Sequence, residues 1–245
     1  MPRTFNGTSD NLRASIGAFS SATAFGTMAC IYKINSAKLQ GLLGTYTSAG
    51  AVTWALELDA AGVMQGGNDS GASNGPTVSV ADGWCIIAYG KASGTVAPRY
   101  HKYVLSTGVW THSSGASTLA NGTTTPGASG GWRFGQWQTV DFAAGTMAAA
   151  AAWTGRTLSD VEVETLAGGL TAWLSLAPGG MWVFDQHATT QAVVDLTGNG
   201  ANQTTVTGTT VSLDGVPGFS HGHPVLKVTR QAPAIAGFQG WGVPL

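Results

Sequence analysis

Short apolar runs of period two, broken roughly every ten residues by glycine-rich turns, recur from Phe5 to Leu213. A single stretch interrupts them with a helix signal, and that combination leaves few folds open. Val52 to Asp59 shows the alternation most cleanly: Trp54, Leu56 and Leu58 share one face, and Ala55, Glu57 and Asp59 share the other. Thr23 to Ile34 carries apolar residues on both faces and reads as a central strand. Gly83 to Tyr89, Tyr100 to Leu105, Trp132 to Phe142, Gly180 to Asp185 and Val193 to Leu196 add further strands, and Val109 opens another after a Thr-Gly turn. Ser113 to Gly131 is too long and polar for a hairpin and reads as an exposed loop. No repeat of 20–50 residues is visible, which argues against a propeller or solenoid.

The helix signal lies between Gly145 and Gly169. Ser159 followed by Glu162 is a capping box, in which each side chain serves the other residue's backbone N–H. Leu158 and Val163 are spaced for a hydrophobic staple, and Gly168-Gly169 supplies the left-handed residue that ends such a helix. One short helix is therefore predicted near 159–167. Met147 to Trp153 has five alanines and favours helix by propensity, but it is short, follows a glycine turn and ends ahead of a separate cap. It reads as a core strand whose small side chains permit close packing. The expected fold is all-β: a two-sheet antiparallel jelly-roll sandwich with one accessory helix.

This sandwich should occupy residues 1–215. Residues 216–245, rich in proline and glycine and without periodicity, read as an extended C-terminal arm. Its Phe219, Phe238 and Trp241 need a surface, either their own sandwich or a neighbouring subunit, and the neighbour is favoured because arm exchange locks assemblies cheaply. Charged residues make up only 9% of the chain, against about 25% in ordinary soluble domains. That deficit suits a surface covered by partner copies, although a Gly/Ala/Thr bias in the coding genome gives the same composition. A net charge of −1 offers no attraction for nucleic acid or an acidic membrane. The first residues lack an apolar core of the secretory kind, and no run of 18 apolar residues exists, so synthesis in the cytoplasm without a signal peptide is expected. Cys30 and Cys85 lie in apolar runs and read as buried thiols, a single disulfide being the alternative.

Three segments carry a resemblance. Phe5-Asn6-Gly7-Thr8-Ser9-Asp10-Asn11-Leu12, Ala152-Trp153-Thr154-Gly155-Arg156-Thr157-Leu158-Ser159-Asp160-Val161-Glu162 and Val194-Asp195-Leu196-Thr197-Gly198-Asn199-Gly200-Ala201-Asn202 resemble the F-D-G-x-x-D opening, the strand-then-L-S-D-x-E helix and the D-L-S-G-N-G-x-N turn of concanavalin A-like, laminin-G-like sandwiches. Here the last motif follows the others, where most members place it first, a circular permutation that adjacent termini tolerate. This order, in a Gly- and Ala-rich chain, is similar to virion proteins of tailed bacteriophages.

Glycoside hydrolases of this fold use an E-x-D-x-x-E strand with paired carboxylates. Glu57 and Asp59 match its first half, but Gly62 stands at the third acid, so the pair reads as solvated residues on an outer face and no enzyme is expected. His221 and His223 read as a polar turn before Pro224, with no third metal ligand suggested nearby. Lectin-type members bind calcium through loop oxygens, and Asp69 beside Asn68, Asp195 and Asn199 are the candidates; otherwise no cofactor is expected. Trp110, Trp132 and Trp137 are the tryptophans nearest the long loop and the candidates for stacking a glycan. The expectation is a non-enzymatic structural component of a bacteriophage particle, a head-decoration or minor-tail protein. It would be located in the virion, homo-oligomeric and in contact with other capsid or tail subunits. The alternative is a carbohydrate-binding, lectin-like module, free or at a tail tip.

Overall fold

The computed structural model describes residues 2–15, 25–47, 52–124, 131–137, 141–184, 193–199, 203–207, 209–211 and 216. Two antiparallel sheets account for most of them, their strands numbered β1 to β17 along the chain. The first sheet contains β1 (Arg3–Asn6), β3 (Gly26–Ile34), β8 (Trp84–Lys91), β9 (Arg99–Val104), β10 (Val109–Ser114), β14 (Ala144–Thr154), β15 (Gly180–Val183) and β17 (Thr210–Val211). Their order is β10-β9-β8-β3-β14-β1-β17, with β15 also paired to β14. The second contains β2 (Asn11–Ser15), β4 (Gln40–Tyr46), β5 (Val52–Leu58), β6 (Val63–Asn68), β7 (Gly71–Thr77), β11 (Gly131–Phe134) and β16 (Gln203–Thr207), in the order β16-β2-β11-β4-β5-β6-β7. A small hairpin of β12 (Gln136–Trp137) and β13 (Asp141–Phe142) stands apart and packs beside β4. Neighbours distant in sequence, such as β3 between β8 and β14, give the crossing connections of a jelly roll.

The main core fills the space between the sheets. Met28, Cys30 and Tyr32 of β3, Ile87 and Tyr89 of β8, and Met147, Ala150 and Ala152 of β14 meet Leu43, Trp54, Leu56, Trp132 and Phe134 from the other sheet. Gly66 is required there: a Cβ on it would lie 2.0 Å from the Tyr89 ring. Its N–H donates to the buried Tyr100 hydroxyl at 2.8 Å.

The alanine-rich segment is a strand, because β3 and β14 are buried on both faces. Ala29, Ile31, Ile86, Ala149 and Ala151 point away from the main core into a second cluster, closed by Leu158, Val163, Leu166 and Trp173. Leu158 leads into a third layer, and the others come from α1 (Asp160–Glu164), a 3₁₀ turn (Thr165–Gly168) and α2 (Leu170–Ser175), which form it. The capping box forms as the spacing predicts: Ser159 Oγ accepts from the Glu162 N–H, and Glu162 Oε2 accepts from the Ser159 N–H at 2.9 Å. Leu158 and Val163 are both buried in that cluster, as the staple requires. The continuation into α2 goes beyond the sequence reading; its N-cap is Gly169, which has no side chain to mark a helix start.

Cys30 and Cys85 are free thiols on adjacent strands. Burial raises both, that of Cys85 to about 12. Val216, the first residue of the expected arm, is buried in the cluster under the helix layer. Phe219, Phe238, Trp241, His221 and His223 lie outside the described residues. Among the described residues no helix is long and apolar enough to cross a membrane.

Candidate functional site

Period two along β9 puts Arg99, His101 and Tyr103 on the face away from the main core, while Tyr100 faces inward. The antiparallel register of β10 then sets Ser114 opposite Arg99, His112 opposite His101 and Trp110 opposite Tyr103. Because β10 is the last strand of its sheet, this row stands at an edge. Tyr103 and Trp110 lie with ring centroids 4.8 Å apart. His112 stacks on Trp110 at 5.6 Å, with planes only 14° apart, and meets His101 edge-on at 5.1 Å. The result is a continuous aromatic row, with Trp110 half-buried against the helix-covered cluster.

The helix layer supplies the opposing charges. Asp160 and Glu164 are four residues apart on α1 and share a helix face. Arg99 Nη2 donates to Asp160 Oδ2 at 2.5 Å and Arg99 Nη1 donates to Ser114 Oγ at 3.0 Å, tying helix to sheet edge. His112 Nε2 faces Glu164 Oε1 at 3.1 Å, and the Nδ1 atoms of His112 and His101 are 2.7 Å apart. Asp160 Oδ1 lies 3.9 Å from His101 Nδ1, too far for a hydrogen bond. His101 is 1% exposed. Burial, followed by the neighbouring His112, pulls its pKa down to about 4 against the attraction of Asp160, so it is neutral at pH 7.

The other candidate residues fall elsewhere. Trp132 is a correction: it is fully buried in the main core, with its ring 6.3 Å from Trp54 and 5.2 Å from Trp182, and no sugar reaches it. Trp137 is placed in β12 by its backbone, and its side chain lies outside the described residues. Asp69 accepts from the N–H groups of Thr123 and Thr124 and from Thr123 Oγ1. Asp195 Oδ1 accepts from the N–H groups of Met181 and Thr197 and from the Thr197 hydroxyl, while Asn199 Nδ2 donates to the Gly179 carbonyl. Only the Asp195–Thr197 bonds are local turn chemistry; the others tie segments distant in sequence, and the two aspartates lie in separate loop systems.

Glu57 is a second correction. It is buried, 5% exposed, and Oε2 has no hydrogen-bond partner among the described residues. Desolvation, reinforced by Asp141 and Asp59, raises it to about 8, so at neutral pH it is mainly the uncharged acid. Asp59 caps the β5–β6 turn, accepting from the Ala61 and Val63 N–H groups at 2.8 Å.

No family model matches the chain, and no curated protein matches it either. Solved structures do. The chain is similar to a proposed carbohydrate-binding protein from Bacteroides ovatus, at 14% identity and a TM-score of 0.51. That match covers 86% of this chain and 60% of the Bacteroides protein, so the chain spans less than two thirds of that relative. It is also similar to the heptameric SAP-like pentraxin of Limulus polyphemus, at 16% identity and a TM-score of 0.44, with 67% and 80% covered. A third likeness is to the sialyllactose-bound CBM40 of the Ruminococcus gnavus IT-sialidase, at 14% identity and a TM-score of 0.42, with 68% and 97% covered. The shared feature is the jelly-roll sandwich. The architecture shared with the Bacteroides ovatus protein is the two-sheet antiparallel sandwich expected from the sequence.

Proposed function

We propose that this chain is a non-catalytic carbohydrate-binding module that engages its glycan at the β9–β10 edge. The observation that carries this reading is the aromatic row Tyr103–Trp110–His112 flanked by Arg99, Asp160 and Glu164. A sugar ring needs a flat apolar surface for its C–H face and nearby charged or amide groups for its hydroxyls, and this edge combines the two. The sandwich shared with the Bacteroides ovatus protein supports the class of function but supplies no site, since fold and function separate readily. A glycan array, run with and without calcium, tests it. Binding at millimolar concentration or better that falls at least tenfold in Trp110→Ala is expected. Absence of any bound glycan, or binding unchanged by Trp110→Ala, overturns the assignment.

A second reading, a structural component of a bacteriophage particle at its head or tail, is favoured by the 9% charged composition, which suits a surface covered by neighbours. In that reading the partners are other virion subunits and further copies of the chain, joined through the arm of residues 216–245.

A further inference from the structure

We infer that His101, His112 and Asp160 form a site for one divalent transition-metal ion, zinc above all, with Glu164 as the carboxylate that orients His112. The inference stands on the geometry of the β9–β10 edge and does not depend on glycan binding. One ligand atom from each of the three residues converges within 4.8 Å. Each of these atoms can offer a lone pair to a metal ion. In the neutral His112 tautomer whose Nε2–H donates to Glu164, Nδ1 presents a lone pair toward His101 Nδ1, 2.7 Å away. One shared proton bridges that pair and leaves Asp160 Oδ1 unsatisfied by His101 at 3.9 Å. A dication placed among the three satisfies them together.

The spacing fits. Tetrahedral zinc with ligand bonds near 2.0–2.1 Å keeps its ligand atoms about 3.3 Å apart. The His101–His112 separation of 2.7 Å would widen by about 0.6 Å, and the His101–Asp160 separation of 3.9 Å would close by about the same amount. The third pair, His112–Asp160, lies within 4.8 Å and would close by up to about 1.5 Å, an adjustment that rotation of the Asp160 side chain on its short helix must supply. Ligand histidines commonly donate their other ring N–H to a carboxylate, which fixes the tautomer, and His112 to Glu164 is that arrangement. Arg99 holds Asp160 by Oδ2 and leaves Oδ1 toward the histidines. Two imidazoles with one carboxylate favour zinc, cobalt, nickel or copper over calcium, which prefers an all-oxygen shell. Three protein ligands leave a fourth position open to water or to another ligand.

The test uses the full chain, stripped with chelator and titrated with zinc by calorimetry and with cobalt(II) by visible absorption. One ion per chain at a Kd of about 10 µM or tighter is expected, with the cobalt complex showing tetrahedral absorption bands. His112→Ala and Asp160→Asn change partly exposed side chains outside the main core, so both should fold, as circular dichroism in metal-free buffer will confirm, and both should abolish the signal. Glu164→Gln should retain the stoichiometry and weaken affinity 10- to 100-fold. No zinc binding below about 100 µM, or binding that His112→Ala and Asp160→Asn leave unchanged, overturns the site. Unchanged affinity in Glu164→Gln overturns the orienting role.

Discussion

Glu57→Gln should change how the stability of this protein depends on pH, and the size of the effect follows from where the side chain lies. Glu57 is on β5, facing away from the main core, yet 5% exposed and held near a pKa of about 8 by burial and then by Asp141 and Asp59. In the unfolded chain the same carboxyl titrates near its ordinary 4.5. Between those values the folded protein keeps a proton that the unfolded chain has released, so stability falls as pH rises through the window. The slope approaches 1.36 kcal/mol per pH unit, and a difference of about 3.5 units sets a total near 5 kcal/mol. Glutamine keeps the shape, carries no proton equilibrium and removes that slope. Urea denaturation of both proteins at about pH 5 and pH 9 isolates the effect, because titrating groups distant from Glu57 cancel in the comparison. Wild type should lose about 4 kcal/mol more than Glu57→Gln over that range, with the variant the more stable at the alkaline end. Asp141→Asn removes the larger of the two charge contributions and should lower the Glu57 pKa, narrowing the window and shrinking the total wild-type loss. Profiles that run parallel within about 0.5 kcal/mol would show that Glu57 is hydrated and ionised like a surface carboxylate, refuting the buried placement.

Ser159→Ala removes one half of the reciprocal cap on α1 and should cost about 1 kcal/mol in thermal or urea unfolding. The same change should also loosen zinc binding, because α1 carries Asp160 and Glu164; a stability loss with metal affinity intact would separate the cap from the site. Deleting residues 217–245 should lower the oligomeric state measured by sedimentation or light scattering if the arm joins copies; an unchanged state removes the arm from the assembly reading.

The parts of this structure that are legible in the sequence are those encoded within a few residues. The Ser159–Glu162 box, its Leu158–Val163 staple and the alternation of β5 each follow from local spacing, and each is present. The alanine strand is legible too, since the glycine turn before it and the separate cap after it outweigh its helical propensity. Glu57 is misread for a complementary reason. Period two reports which face a residue takes and nothing about what covers that face; the neighbouring Asp141 belongs to a hairpin far along the chain. α2 escapes because a glycine at its N-cap leaves no side-chain signal.

The edge cluster is the instructive case, because part of it is encoded locally. His101 and His112 lie symmetrically about the turn at Leu105–Gly108, so treating Tyr100 to Ser114 as one hairpin pairs them, and Tyr103 with Trp110, on register alone. Taking the two strands separately hides that register. Asp160 and Glu164 cannot be added from spacing, since nothing local says that α1 lies over this end of the sheet. Their charges have a sufficient local explanation at a helix start, Asp160 beside the cap and both on one face, and that explanation obscures the second use. A residue whose local role already accounts for its chemistry gives no surplus signal. Only the tertiary contact of Asp160 with Arg99 and of Glu164 with His112 shows that the acids of this helix also face the paired histidines.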